Sequence, residues 1–336
     1  MAFIGLAFTV ILMLRMLNFI KVLGLLIWVV LGFSSCATIQ LGPSMGPLEE
    51  TVLQGEGPEK VLLLEVQGLI NNQKDRSFSG STTALGMVEW VQENISRAEK
   101  DEYVKALLIK INSPGGTVTA SDIILHELLQ FKKRKNIPIY IHIMDLAASG
   151  GYYVALAGDE IIAHPTSLVG SIGVIAFKVN LKNLMGKIGV EWEIVKSADK
   201  KDFMSPFRPF TDEERGYFQN TIDLFHNRFV SVITENRSKL NLQEVQSLAD
   251  GRVFDSEQAV KLKLIDGIGY ISDTVERIKA DLKISDLQIV TYHREGDYKT
   301  NLYSLYPQTP TLNLFNLDLG LDKSSLSPLF SYLWAP

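Results

Sequence analysis

Apolar runs of strand length alternate with segments of helical period along most of the chain after Lys60. Five runs are short, apolar and bounded by breaker or polar residues, as strands are: residues 61–66, 103–111, 137–143, 160–163 and 172–176. Two helices are predicted between them, over residues 84–98 and 118–131, the second with Thr119 and Asp122 at capping-box spacing. Strands that alternate with helices need crossover connections, so the pattern predicts an α/β fold.

A longer helical period begins at Thr211, where Glu214 stands three residues on, and apolar residues recur as far as Val232. This helix is long enough to serve as a packing element or a subunit contact. The periodicity then fails near Ile289. We therefore predict that residues 59–285 form the folded domain and that residues 286–336 form an irregular tail.

The first 36 residues are the most apolar part of the chain and contain two basic side chains. They are predicted to be an uncleaved membrane anchor or, if translation starts at Met16, a signal peptide that ends in Ser34 and Ser35. Cys36 then stands where the lipobox of bacterial lipoproteins, which this stretch resembles, has its lipidated cysteine. A third interpretation makes Cys36 a buried small residue.

Either targeting interpretation tethers the following domain to a membrane, on its extracytoplasmic face. Residues 37–58 contain three Gly-Pro pairs. Because these breakers disfavour both helix and strand, the segment is predicted to be a linker.

Charge and cysteine content exclude several kinds of partner and site. The 33 basic and 38 acidic side chains give a net charge of −5, without the basic excess of a nucleic-acid binder, so no nucleic-acid partner is expected. The single cysteine excludes an intramolecular disulfide framework, a multi-cysteine zinc site and an iron–sulfur cluster. No Walker A or dinucleotide motif is present. We predict no cofactor and no metal.

Three segments are rich in glycine and small residues: 113–116, 147–151 and 170–173. Two of them follow predicted strands, where ligands bind in α/β sheets and where glycine lets backbone N–H groups approach a ligand. Such N–H groups could stabilise an oxyanion. The alternative, that the glycines only form tight turns, stays open for any single pair.

Ser149 is a candidate nucleophile because its neighbours, Ala148 and Gly150, leave its hydroxyl accessible. It does not stand in a G-x-S-x-G elbow, since Ala147 occupies the first glycine position. His142 and Asp145 are a close His/Asp pair that a Ser-His-Asp triad could use. A lysine kept neutral by burial is the alternative base.

Taken together and in order, these segments resemble the signal peptide peptidase A family of bacterial serine proteases. The matching runs are INSPGG at 111–116, AASGGYY at 147–153 and GSIGV at 170–174, with further similarity at KDFMSP, 201–206, and DGRVF, 250–254. The similarity covers about residues 60–282.

The resemblance implies a Clp-protease/crotonase-like α/β fold and a Ser/Lys dyad. By position it assigns the nucleophile to Ser149, the general base to Lys201, the oxyanion amides to Gly116 and Gly150, and the orientation of the lysine to Ser171. A lysine base requires a dry site, because its pKa must fall about three units, to roughly 7 to 8.

Two other lysines, Lys196 and Lys200, lie close enough in sequence to leave the identity of the base open. In this family the serine and the lysine can belong to neighbouring protomers, so a homo-oligomer is expected.

The implied function is that of a membrane-tethered serine endopeptidase on the extracytoplasmic face of a bacterial cell membrane, degrading apolar peptides such as remnant signal peptides. One alternative is a peptidase of the related SohB branch with other substrates. Another is a crotonase-like acyl-CoA enzyme, which would usually place an acidic residue beside its oxyanion loops. A catalytically silent scaffold is the third.

Overall fold

The computed structural model describes residues 46–73, 75–76, 82–294, 299–304 and 330–334. The chain divides into two units, residues 1–44 with 76–83, and residues 45–75 with 84–336, and the account below concerns the second. The predicted anchor, 1–36 with Cys36, lies outside the described residues. Within the described ranges no helix has the length and hydropathy needed to cross a bilayer.

The strands are β1 (Glu49–Gln54), β2 (Glu59–Ile70), β3 (Asp75–Arg76), β4 (Thr82–Ala84), β5 (Val104–Thr117), β6 (Ile139–Ala148), β7 (Glu160–Ala163), β8 (Leu168–Gly170), β9 (Val253–Asp255), β10 (Gly267–Ile268), β11 (Leu287–His293) and β12 (Ser331–Leu333). The helices are α1 (Met87–Lys100), α2 (Val118–Lys135), α3 (Gly150–Ala155), α4 (Lys182–Lys187), α5 (Asp212–Asn236), α6 (Leu242–Leu248), α7 (Ser256–Lys261) and α8 (Ile271–Leu282).

The main sheet has the strand order β1-β11-β2-β5-β6-β7-β10, and its central strands run parallel. Strand β8 continues beside β6 and pairs antiparallel with β9, and β12 pairs antiparallel with β5. Strands β3 and β4 form a separate two-stranded sheet. This is the mixed α/β architecture that the alternating sequence pattern and the family resemblance predict.

Both faces of the sheet are covered, which explains why its central strands are almost wholly apolar. Successive residues of a strand point to opposite faces. Leu62 and Leu64 therefore join the larger core with α1, α2, α3 and α5, whereas Val61 and Leu63 join the smaller core with α8. The sheet thus holds the ends of β5, β6 and β8 rigidly beside one another.

Two local predictions are wrong. No strand spans 172–176. The extended run ends earlier, at Gly170, because Gly170 and Ser171 both have positive φ, 112° and 49°. The cap of α2 is Thr117, whose side chain accepts a hydrogen bond from the Ala120 N–H, and not Thr119.

The limits of the sheet also differ from the predicted segments. Strand β1 lies inside the predicted linker, because residues 48–54 contain no glycine or proline and β1 pairs antiparallel with β11. Strand β11 lies inside the predicted irregular tail and is buried between β1 and β2. Strand β12 lies there too. The prediction that residues 286–336 are irregular is therefore wrong at both of these strands.

Candidate active site

Ser149 lies at the junction between β6 and α3, where it is the N-terminal cap residue of the helix. Its backbone has φ 53° and ψ −115°, a strained conformation for a residue with a side chain. Two backbone bonds hold it there: its N–H donates to Gly170 O at 2.7 Å, and its carbonyl accepts from Tyr153 N at 2.9 Å. Its hydroxyl reaches Gly173 O only at a long 3.5 Å. Strain of this kind at a strand-to-helix turn is typical of functional positions.

Gly116 and Gly150 bring their backbones together beside this serine. A Cβ placed on Gly150 would lie 3.0 Å from Gly116 N and 3.1 Å from the Cα of Gly115. A Cβ on Gly116 would lie 1.8 Å from Ile70 O. Glycine is required at both positions because backbone approaches backbone. The result is a pair of adjacent amides next to the nucleophile candidate, as an oxyanion hole needs.

The C-terminal strand β12 lies on the same glycine segment. Tyr332 pairs with Gly116, Leu333 with Gly115 and Ser331 with Thr117. The strand's other edge bridges Ile175, through Ser331 N to Ile175 O and Ile175 N to Ser331 O, both 3.0 Å. Residues 330–334 therefore occupy a slot between two backbone edges, as an extended peptide ligand would.

The register of β12 directs a carbonyl at the two amides. The Val118 N–H donates to Phe330 O at 3.3 Å and the Trp334 N–H to Pro114 O at 2.8 Å. Because hydrogen-bonded pairs alternate along an antiparallel ladder, the pair between them, Gly116 with Tyr332, faces its N–H and C=O groups toward each other.

Tyr332 O is also close to Gly150. A Cβ built on Gly115 would lie 2.0 Å from Tyr332 O and 2.7 Å from Gly150 N. The bond between Tyr332 and Leu333 thus has its carbonyl where the candidate oxyanion hole lies.

An aromatic pocket receives the Tyr332 side chain, which is fully buried. Its ring stacks on Tyr153, with centroids 5.0 Å apart, and contacts Phe229 at 4.8 Å. Its hydroxyl donates to Phe225 O at 2.8 Å, and burial raises the pKa of that hydroxyl. Phe330 contacts Phe225 as well, at 5.3 Å.

Tyr153, which forms one wall of the pocket, is itself held in place. Its hydroxyl donates to Asp122 at 2.5 Å, and Asp122 pairs with Arg228 at 3.1 Å. Burial is the largest cause that raises the pKa of Tyr153. The pocket is therefore preformed on α2, α3 and α5.

Lys201 lies on a 3-10 turn over Asp199–Asp202. Its side chain is exposed and makes no hydrogen bond or ion pair with any described residue. Lys196 instead binds Asp202 at 2.8 Å, and Lys200 pairs with Glu213. Of the three candidate lysines, only Lys201 has an amine that is not already engaged within the described chain.

Ser171 lies directly after Gly170, to which the Ser149 backbone is bonded. It is buried, and its N–H donates to Arg252 O at 2.8 Å. Its hydroxyl has no hydrogen-bond partner among the described residues. The structure thus gathers Ser149, Gly116, Gly150 and the Ser171 backbone, and leaves Lys201 on the surface of the same chain.

The His142 and Asp145 pair does not form. His142 Nδ1 bonds to Thr274 Oγ1 at 2.8 Å, whereas Asp145 accepts from Asn112 at 2.7 Å. Burial lowers the pKa of His142 to about 4. Over the described ranges, no group of three or more His, Cys, Asp or Glu side chains could hold a metal ion.

Sequence reasoning missed the tail strand and its pocket. The signal was present in Phe330, Tyr332 and Trp334, because large aromatic residues at every second position are typical of a strand with one buried face. Such a strand has no neighbour in the sequence, and only the folded structure supplies one.

A nucleophile candidate on a strand-to-helix turn, two adjacent amides and a slot for an extended peptide define a serine peptidase with a Clp-like α/β fold. Family models agree: Peptidase family S49 matches residues 131–285, and Clp protease matches residues 73–169. A protein of Enterococcus faecium named for signal peptide peptidase SppA is 34% identical over 251 residues, 74% of this chain and 71% of that protein. The chain belongs to peptidase family S49, in its signal peptide peptidase A group.

Longer relatives match over part of their length. Protease 4 of Haemophilus influenzae is 29% identical over a region that covers 66% of this chain and 34% of the length of that protein. The chloroplastic serine protease SPPA of Arabidopsis thaliana is 30% identical over 68% of this chain and 33% of its own. A solved structure of the 1510-N membrane-bound stomatin-specific protease with a substrate peptide is 18% identical, covers 66% of this chain and 80% of its own, and has a TM-score of 0.42.

Proposed function

We propose that this serine peptidase is a membrane-tethered endopeptidase that cuts apolar peptides with a Ser149–Lys201 dyad. The observation that carries the proposal is the seating of residues 330–334. A peptide of this chain lies in the slot as an added strand, and its Tyr332 carbonyl lies beside the Gly116 and Gly150 amides. A substrate bound in the same way would present its scissile carbonyl to the same two amides.

The reaction follows from this arrangement. The neutral Lys201 amine takes the proton of the Ser149 hydroxyl as Oγ attacks the carbonyl carbon. The negative oxygen that forms is held by the Gly116 and Gly150 N–H groups. As the C–N bond breaks, the Lys201 ammonium gives its proton to the leaving amine. Water then hydrolyses the acyl-Ser149 ester, with Lys201 again as the base.

A second copy of the chain supplies the lysine in this proposal. Among the described residues the Ser149 hydroxyl makes no hydrogen bond to a basic side chain, and the Lys201 amine makes no hydrogen bond or ion pair. Large apolar side chains are exposed on the segment that leads to Lys201, including Trp192 at 55%, Ile188 at 62% and Val195 at 101% of full exposure. Exposed apolar surface of this kind marks an interaction site. Packing of two copies here would cover it and exclude water from the dyad.

The substrates we infer are apolar peptides with a large aromatic or aliphatic side chain on the acyl side of the cleaved bond. The Tyr332 pocket is lined by the rings of Tyr153 and Phe229, and the Phe225 carbonyl accepts a hydrogen bond from the Tyr332 hydroxyl. Remnant signal peptides, which are apolar and lie at membranes, fit this requirement. Residues 1–36 would tether the enzyme to the extracytoplasmic face of the membrane, by an uncleaved anchor or by lipid on Cys36.

The proposal is tested by subunit complementation. Ser149→Ala and Lys201→Ala should each abolish hydrolysis of an apolar peptide, whereas Lys200→Ala, the matched control, should not. The two inactive variants are then unfolded, mixed in equal amounts and reassembled. If neighbouring copies share each site, about a quarter of the sites regain both groups, and activity returns to that fraction. An inactive mixture of intact oligomers would contradict the shared dyad.

A further inference from the structure

We propose that Arg208 is a positioning residue for Lys201, because it fastens the turn that carries Lys201 to the first turn of α5. This inference rests on the proposed role of Lys201 as the base. It assigns a function to a cluster of charges that the reaction itself does not use.

On the turn, Arg208 binds Asp202, the residue that follows Lys201. Its Nε donates to Asp202 Oδ2 at 2.7 Å, and its Nη2 donates to Asp202 Oδ1 at 3.0 Å and to Asp202 O at 3.2 Å. Asp202 is 7% exposed. A planar guanidinium bound twice to one carboxylate fixes direction as well as distance. The turn therefore cannot rotate while Arg208 is in place.

On the helix, the same guanidinium binds Glu214. Arg208 Nη1 donates to Glu214 Oε2 at 2.8 Å and Nη2 to Oε1 at 2.5 Å. Glu214 is 2% exposed and also accepts from the Thr211 N–H at 2.9 Å, as part of the capping box that begins α5. Arg208 thus joins the lysine turn to a fixed point, the capped end of a helix of 25 residues.

The helix extends from this junction to the peptide pocket. Phe225 and Phe229, which contact the side chains of the tail, lie further along α5. The turn that carries Lys201 and one wall of the peptide slot are therefore parts of one rigid element. A loss of the Arg208 bridge would leave the slot formed but the lysine turn free to move.

The positive charge of Arg208 also offsets negative charge in the neighbourhood of Lys201. The hydrogen bonds from Arg208 hold the pKa of Asp202 well below its usual range and lower that of Glu214 to about 2, so both carboxyls are ionised. The charged groups around the lysine turn and Arg208 include Lys178, Lys196, Asp199, Lys200, Asp202, Glu213 and Glu214. Lys196 pairs with Asp202, and Lys200 pairs with Glu213. Without Arg208, the Glu214 carboxylate loses its direct ion pair, and a carboxylate without that partner favours the protonated form of a nearby amine.

The experiment compares Arg208→Gln with Arg208→Lys in the full-length protein. Arg134→Gln is the matched control, because Arg134 on α2 also binds a carboxylate at two points, that of Glu99 on α1, but on the exposed surface. We expect Arg208→Gln to lower kcat about 100-fold with KM nearly unchanged. Its pH of half-maximal activity should rise by about one unit. In Arg208→Lys the pH profile should lie close to that of wild type while kcat stays low, because lysine supplies the charge without the two-point geometry. The control should change neither.

Two further measurements separate the possible outcomes. In a Lys201→Ala background, Arg208→Gln should not lower further the rate at which a fluorophosphonate labels Ser149, because both changes act through the same amine. Glu214→Gln gives a milder break of the same bridge if Arg208→Gln does not fold. Normal kcat and an unshifted pH profile in folded Arg208→Gln, together with an inactive Lys201→Ala, would refute the positioning role alone. An active Lys201→Ala would instead refute the base assignment and the inference that rests on it.

Discussion

The tail strand should compete with external peptides for the slot, and Tyr332 should set the strength of that competition. Tyr332 is fully buried and is fixed by stacking on Tyr153 and by a hydrogen bond to Phe225 O. Residues 330–334 are covalently attached to the domain, so every molecule carries its own competitor. The apparent affinity for an added peptide is then reduced by the fraction of slots that the tail occupies.

The structure gives the size of the effect. Tyr332→Phe removes one neutral hydrogen bond, worth about 1 kcal/mol, which is about fivefold in the occupancy equilibrium. Tyr332→Ala removes a buried aromatic ring, and such truncations cost about 3 to 5 kcal/mol, enough to empty the slot of a weakly bound tail. Added peptide should therefore bind most tightly to Tyr332→Ala, less tightly to Tyr332→Phe and least tightly to the parent protein.

The assay uses the Ser149→Ala protein, so that no peptide is cut, and a fluorescein-labelled copy of residues 328–336. Binding is followed by fluorescence anisotropy. Tyr303→Ala, which alters an exposed tyrosine, is the control and should leave the affinity unchanged. Deletion of residues 328–336 should match or exceed Tyr332→Ala. Equal peptide affinities in the parent, in Tyr332→Ala and in the deletion would refute occupancy of the slot by the tail.

Two other changes test the site and the core. Gly150→Ala should lower kcat about 100-fold or more, because its Cβ would lie 3.0 Å from Gly116 N. Gly186→Ala is the control: no atom lies within 4 Å of its Cβ, so kcat in the same peptide assay should not change. Stability should fall as the pH drops from about 6.5 toward about 4, because burial lowers the pKa of His142 to about 4 and the unfolded chain binds the proton first. Thermal denaturation of wild type and His142→Gln across this range should show a smaller decline in the variant, and equal declines would count against His142.

Local patterns predicted those parts of the fold in which the sequence itself carries the cause. The strand β7, Glu160–Ala163, agrees with its prediction because a short apolar run there is buried by its neighbours. The start of α5 agrees because Thr211 and Glu214 form the capping box that their spacing predicts. The helix that begins after Ser149, by contrast, was not predicted from the sequence.

What the sequence did not predict depends on distant partners. Strand β12 forms only because Gly116 and Ile175 each offer it a backbone edge. The end of the extended run at Gly170 depends on positive φ at Ser171, which no periodicity reveals. The role of Arg208 depends on Asp202 and Glu214, each six residues away, a separation that neither the helical nor the strand period brings together. Contacts of this kind belong to the tertiary structure.

The central claim is that Ser149 attacks carbonyls after Lys201 takes its proton. Intact-protein and peptide mass spectrometry after treatment with a fluorophosphonate tests it most directly. The account predicts one adduct per chain, on Ser149, formed at a rate that falls about 100-fold or more in Lys201→Ala. An adduct on a different serine, or labelling of Ser149 at the wild-type rate without Lys201, would contradict it.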